Sequence, residues 1–304
     1  MKVLITGATG LVGQELVTLL LQKGFVVHYF TTSKSKIISK DNYLGFYWNP
    51  ETGEYDVEAL KEVSKIIHLA GASVAEKWTK KHKEAILNSR IKSSNLLFSI
   101  LKNNSNAVNQ LITASAIGIY PNSLTKIYHE TDTEVAAGFL GNVVQQWEQQ
   151  VSAFEELGIT VTKIRTGIVL SNKGGALIEM SKPVKYGLGA ALGTGNQYQS
   201  WIHIQDLVNL FLFTMEHNLA GIYNAVSPYP VTNQVLMKAI ATAYQKPFFL
   251  PNVPTFLLEF LLGEMHTILI SSQNVSSKKI LEHKFQFKFA SLEKALQHLI
   301  IQKK

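Results

Sequence analysis

Five short apolar runs recur along the first 165 residues of the chain, with stretches of helical spacing between them. The runs are "KVLIT" (2–6), "FVVHYF" (25–30), "KIIHLA" (65–70), "QLITAS" (110–115) and "TVTKIR" (160–165). Their β-branched and aromatic content, without strict alternation, fits strands buried on both faces of a sheet. Between them lie helical stretches at 11–22, 83–102 and 139–157. The first ends before Gly24, a C-terminal glycine. In the third, Leu140, Val144, Trp147, Val151 and Phe154 share one face, which predicts a buried stripe. Strands alternating with helices predict right-handed βαβ units, hence an α/β protein with a doubly wound parallel sheet.

After Arg165 the texture changes. "SNKGGALIEMSKPVKYGLGAALGTGNQ" is glycine-rich and weakly periodic, and reads as long loops over a site. Helical spacing returns at 204–217 and a strand at 221–226. The proline-bearing tail from about 227 predicts a smaller unit packed over the sheet. The expected division is 1–170 with 204–226 as the main domain, and 171–203 with 227–304 as a smaller substrate-binding domain. The apolar stretch 255–270 is expected to form core of that smaller unit rather than touch a membrane, since its charges are acidic.

Composition narrows the chemistry. The 304 residues include no cysteine, which excludes disulfides and thiolate sites. The nine histidines lack metal-site spacing, so no metal is expected. The opening residues lack a signal-peptide pattern, and no uncharged run approaches the roughly 18 residues needed to span a bilayer. A cytoplasmic protein is expected. The net charge of +7 suits an anionic ligand or nucleic acid and does not choose between them. The lysines around Trp78 in "EKWTKKHKE" (76–84) read as a solvated helix start, so no nucleic-acid partner is expected.

"ITGATGLVG" places Gly7, Gly10 and Gly13 between the first strand and the first helix. The first glycine permits a tight turn, the second a close backbone approach to a pyrophosphate, and the third close helix–strand packing. The helix N-terminus then offers unpaired N–H groups to phosphate. This is the fingerprint of a Rossmann dinucleotide site. The second strand runs into "YFTTSKSK", where an NAD-binding chain carries an acid. Here Thr31, Thr32 and Ser33 offer hydrogen bonds, and Lys34 and Lys36 add positive charge. That pattern favours NADP(H) over NAD.

A set of motifs in order, "ITGATGLVG", "IIHLAGASVAEKW", "NSRIKSSNLL", "RTGIVLSNKGGAL", "GLGAALGTGNQYQSWIHIQDLV" and "YNAVSPYPVTN", closely resembles the atypical extended short-chain dehydrogenase/reductases of the nucleoside-diphosphate-sugar epimerase-like family. The tail segments "SSQNVSSKKIL" and "FQFKFASLEKAL" match as well. The resemblance implies a Rossmann fold with a small C-terminal substrate domain. It also implies NADP(H) contacts from the turn Gly7, Thr9, Gly10, Leu11, Val12 and Gly13, from Thr31 and Thr32, from Leu69, Ala70 and Gly71, and from Arg90 and Val169. Many members carry Arg at the place of Thr32, so Lys34 or Lys36 would balance the 2′-phosphate here. The implied partner is a small molecule, a nucleotide sugar or another carbonyl compound. Nothing in the sequence specifies the oligomeric state.

In active extended members of that family, a Tyr and a Lys one turn apart project from the helix near residue 140, the Tyr as acid or base. Here Leu140 and Val144 stand in that place, and no Y-x-x-x-K occurs anywhere in the chain. The remaining candidates for catalysis are Ser115, at the end of the fourth run, Tyr120 in the loop beyond it, and His203 in "WIHIQDLV". Arg165 ends its strand near the expected nicotinamide. Asp206 is placed to cap the helix that begins beside it. Two functions stay open: an NADP(H)-dependent oxidoreductase or epimerase-like enzyme, and an NADP(H)-bound non-enzyme acting as a redox-responsive scaffold.

Overall fold

The computed structural model describes residues 1–301. The apolar runs become strands β1 (Lys2–Thr6), β2 (Val26–Thr31), β4 (Val63–His68), β5 (Gln110–Ala116) and β6 (Thr160–Thr166). A further strand, β3 (Tyr43–Asn49), follows β2. The short strands β7 (Ile168–Leu170) and β8 (Trp201–His203) pair with each other in parallel, outside the main sheet. The last major strand, β9 (Gly221–Ala225), returns to it. The central sheet has the order β9-β6-β5-β4-β1-β2-β3, all parallel, with two-residue antiparallel strands at the β3 edge.

Helices cover both faces, because the strands are apolar on both. Helix α1 (Leu11–Gln22) and helix α5 (Ile204–Glu216) pack on one face around Leu16, Leu20, Leu210 and Phe211. Helices α2 (Lys80–Asn103) and α3 (Phe139–Ser152) cover the other, where Leu97, Ile100, Trp147 and Val151 meet the sheet. Residues 153–157 continue α3 only as a tighter 3-10 turn, ending at Gly158 with φ +74°. The chain leaves β1 toward β2 and β3, then returns to β4 on the other side of β1. Strand order therefore reverses at β1/β4, and a crevice opens at their carboxyl ends.

A separate core joins residues before and after α5. Leu177 and Val184 of helix α4 (Ala176–Lys185) pack with Trp201, with Leu236 and Ile240 of helix α6 (Asn233–Ala243), and with Leu292 and Leu296 of a short C-terminal helix (Leu292–Leu296). Two expectations change. The glycine-rich stretch is not all loop: Leu177, Ser181 and Val184 recur at helical spacing and are buried, which forms α4 despite Pro183 in its last turn. The stretch 255–270 is not core. Helix α7 (Thr255–Leu262) buries only Leu258 and exposes Phe256 and Phe260. Helix α8 (His266–Ile270) is half-buried. Among the described residues no helix is long and apolar enough to cross a membrane.

Candidate active site

The crevice at β1/β4 is built by the glycine turn and a hydroxyl lock. Gly7 has φ +73°, and a Cβ there would stand 2.7 Å from the Leu69 carbonyl. A Cβ on Gly13 would stand 2.2 Å from the Gly7 oxygen, so helix and turn close together only because it is absent. At Gly10, the N-cap of α1, a Cβ would meet only the Gly7 oxygen, at 3.3 Å, and the residue is exposed. The turn is therefore tight behind and open in front, as the approach of a pyrophosphate requires.

The opposite wall is held by Thr6. Its Oγ1 accepts the Leu69 and Ala70 N–H groups at 3.2 Å each, so its own proton goes to His68 Nδ1 at 2.7 Å. His68 Nε2 then donates to Ser94 Oγ at 3.1 Å. Burial and, secondarily, the Arg90 charge hold His68 down to about 4, so it stays neutral. Arg90 lies beside Gly71, donates to the Ala72 and Ile86 carbonyls, and stacks 5.0 Å over Trp147. Burial lowers its pKa to about 10. At the other end of the crevice, Thr31 Oγ1 accepts the Ser33 N–H, and no carboxylate follows β2. Lys34 and Lys36 are exposed, and Lys34 lies 4.9 Å over the Tyr47 ring. Val169 of β7 and the Gly174–Gly175 turn lie against the α1 side, with Leu11 packing onto that turn.

Beneath the crevice, three of the candidate groups, Ser115, Tyr120 and Arg165, meet in one buried network. Ser115 Oγ donates to Glu148 Oε1 at 2.6 Å. Arg165 Nε donates to the same oxygen and Nη2 to Oε2, both at 2.8 Å. Arg165 Nη1 donates to the Tyr120 hydroxyl at 2.9 Å, and that hydroxyl donates to Asn224 Oδ1 at 2.8 Å. All five side chains are buried. Burial alone lowers the Arg165 pKa, but the Glu148 hydrogen bonds and charge outweigh it and the net shift is upward. Tyr120 is also pushed up, first by burial and against the pull of Arg165. Arg165 thus spends its donors on the protein, not on the crevice. Glu148 was not anticipated from the sequence. It sits one turn after Val144, an acid beside the apolar stripe of α3, and that position is the signal that could have found it.

Leu140 is half-buried over Gly118, and Val144 is buried among Ile117, Tyr120 and Tyr128. His203 lies apart from this network. Its Nδ1 accepts the Gln205 N–H and so caps α5, while Nε2 donates to His298 Nδ1 at 3.1 Å. Its ring stacks on Phe289. Burial, then His298 and Lys288, bring His203 down to about 3. The capping role expected of Asp206 falls to His203 instead. Asp206 is drawn away by the backbone of the C-terminal segment, accepting the Lys288 and Phe289 N–H groups at 2.8 and 2.9 Å. Among the described residues no three His, Asp or Glu side chains cluster to hold a metal.

Residues 3–225 match the model of the NAD dependent epimerase/dehydratase family. The chain belongs to that family. Residues 253–299 match a domain of unknown function, DUF1731. An epimerase family protein of Staphylococcus aureus (strain NCTC 8325) is 36% identical over 299 residues, covering 98% of each chain. The crystal structure of human epimerase family protein SDR39U1 (isoform 2) with NADPH superimposes with a TM-score of 0.84, at 24% identity and 99% coverage of both chains. A nucleoside-diphosphate sugar epimerase from Corynebacterium glutamicum gives 0.79 at 26% identity, covering 99% of this chain and 58% of that one.

Proposed function

We propose that this family member binds NADP(H) and acts as an oxidoreductase or epimerase-like enzyme on a small alcohol or carbonyl compound. The observation that carries the reading is the crevice at β1/β4. Its glycine turn is open only at Gly10, faced by a loop pinned through Thr6 and His68. The NADPH in the human relative's structure supports it. Bound cofactor would supply or accept the hydride.

On this reading, Gly7, Thr9, Gly10, Leu11, Val12 and Gly13 hold the pyrophosphate. Leu69, Ala70, Gly71, Arg90 and Val169 line the path toward the nicotinamide. Thr31, Thr32, Ser33 and Lys34 receive the 2′-phosphate, since no acid stands there to repel it. Residues 1–170 and 204–226 carry the cofactor, while 171–203 and 227–304 carry the substrate. Ser115 is the group assigned to the substrate's oxygen. Its proton already leans on Glu148, so its lone pairs are free to accept a substrate hydroxyl proton while its own passes to the carboxylate. Arg165 holds Glu148 for that exchange. Tyr120 and His203 serve as supports, because their polar atoms are already paired inside the protein.

One observation favours a second reading, a cofactor-bound scaffold without turnover: the α3 positions where active members carry Tyr and Lys hold apolar Leu140 and Val144, and Val144 is buried among Ile117, Tyr120 and Tyr128. The deciding experiment is fluorescence titration with NADPH and NADH, then cofactor oxidation across a panel of carbonyl compounds. NADPH preference with turnover supports the enzyme. Tight NADPH binding without turnover on any compound supports the scaffold. Preference for NADH overturns the NADP(H) assignment.

A further inference from the structure

We propose that the C-terminal segment holds a second site, separate from the crevice, that binds the phosphoryl group of a small phosphate monoester or of free phosphate. None of the residues given to the cofactor or to the substrate's oxygen lines it.

The site is a cavity of about 540 Å³ between the Lys288–Phe289 segment and the short C-terminal helix, where Lys294, Gln297 and His298 line it. It shares His298 with a smaller cavity of about 250 Å³, which reaches Ser171, Asn172 and Lys173. Together they have the size that takes a small metabolite. The larger cavity is lined by donors: the ammonium groups of Lys288 and Lys294 and the amide of Gln297. Among the described residues neither lysine pairs with a carboxylate. The only acid on either wall, Glu15, is held by Lys173. Asp206 lies behind the wall with its oxygens on the Lys288 and Phe289 N–H groups. Glu293, the chain neighbour of Lys294, is exposed and lines neither cavity.

A relay of hydrogen bonds fixes the fourth donor. The Gln205 N–H occupies His203 Nδ1, so neutral His203 carries its proton on Nε2 and gives it to His298 Nδ1. Neutral His298 must then carry its own proton on Nε2. Among the described residues that N–H has no acceptor. Phe289 gathers these groups. His203 stacks on its ring at 3.9 Å, the His298 ring lies 4.6 Å away, and the Lys288 ammonium sits 5.3 Å over it. Burial and then the Lys288 charge hold His298 below the ordinary imidazole range, and no carboxylate opposes them. Two ammoniums, a fixed imidazole N–H and an amide match a dianion with several acceptor oxygens. A phosphoryl group has that charge and those oxygens. A carboxylate would leave one ammonium unbalanced.

The test follows the isotope-labelled histidine rings of the whole protein by NMR, with the His298 signal assigned as the one lost in His298→Gln. Inorganic phosphate, glycerol phosphate and acetate are titrated at fixed ionic strength. Phosphate should shift the His298 ring saturably and raise the pH at which it titrates, while acetate gives no saturable shift. Tighter binding of glycerol phosphate makes the organic monoester the source, and equal or weaker binding makes it free phosphate; both support the site. Lys288→Ala with Lys294→Ala should weaken phosphate about tenfold or more, with the melting temperature nearly unchanged. Gly10→Val, which fills the mouth of the glycine turn, should leave the His298 response intact. No saturable shift with either phosphate, an equal response to acetate, unchanged affinity in the double lysine variant, or loss of the response in folded Gly10→Val each overturns the proposal.

Discussion

Glu148 and Arg165 meet through two parallel hydrogen bonds of 2.8 Å, with side chains 9% and 6% exposed, one on α3 and the other on β6. The pair ties helix to sheet under the crevice and sets the place of Ser115 and Tyr120. Removing one member strands a buried charge, at a cost of about 3–5 kcal/mol. Glu148→Leu should therefore lower the urea midpoint far more than the double change Glu148→Leu with Arg165→Met. Equal losses in the single and double variants would contradict the coupling.

Ser115→Ala removes one hydroxyl and leaves Glu148 with both Arg165 bonds. Its stability cost should be small, about 1 kcal/mol. If Ser115 exchanges a proton with the substrate, turnover should fall about 100-fold or more while NADPH affinity holds. Tyr120→Phe should behave oppositely. It leaves Arg165 Nη1 and Asn224 Oδ1 short of a partner, costing about 1–3 kcal/mol, with turnover reduced only modestly. Steady-state kinetics beside urea melts separate the two patterns.

Gly10→Val places a branched side chain in the open mouth of the turn. NADPH binding should be lost while circular dichroism stays native. Lys34→Ala with Lys36→Ala should instead weaken NADPH about tenfold and leave NADH nearly unchanged. Titration of both cofactors against both variants measures this directly.

His203 and His68 are held neutral, near 3 and 4 respectively, chiefly by burial. In the unfolded chain each imidazole titrates near 6.5. Between those values and 6.5 the unfolded state binds more protons, so stability rises with pH. The contribution is complete above 6.5 and is lost as pH falls toward 4 and then 3. His203→Asn keeps an acceptor to cap α5 and removes that residue's share. The urea midpoint of the variant should fall less steeply between about pH 6.5 and about pH 4.5 than that of the parent. An unchanged slope would remove His203 from the account.

Strands buried on both faces wrote themselves into the sequence as continuous apolar runs, so β1, β2, β4, β5 and β6 were legible to within two residues. Strand β3 was not. It lies near the sheet edge, is only half-buried, and carries Gly45 where the Tyr29 ring fills the space of a side chain. Its aromatic partners, Tyr43 on Tyr29 and Trp48 on Phe30, are visible only once the strands pair. The glycine turn was legible because its requirements are local. The Glu148 network was not, since it joins residues from 115 to 224 in sequence, and a lone acid beside Trp147 carries no sign of its partner. Helix α7 misled for a related reason: apolar content says what a segment can bury, not whether a neighbour arrives to cover it.

The grip of Asp206 on the Lys288 and Phe289 N–H groups spans 82 and 83 residues. A ribosome makes α5 long before it makes that segment. Until it emerges, a carboxylate destined for the interior has no backbone donors, and α5 cannot settle fully between α1 and the C-terminal core. Synthesis can thus complete the early strands in order, but the nascent chain remains unfinished at its centre until Lys288 and Phe289 have emerged.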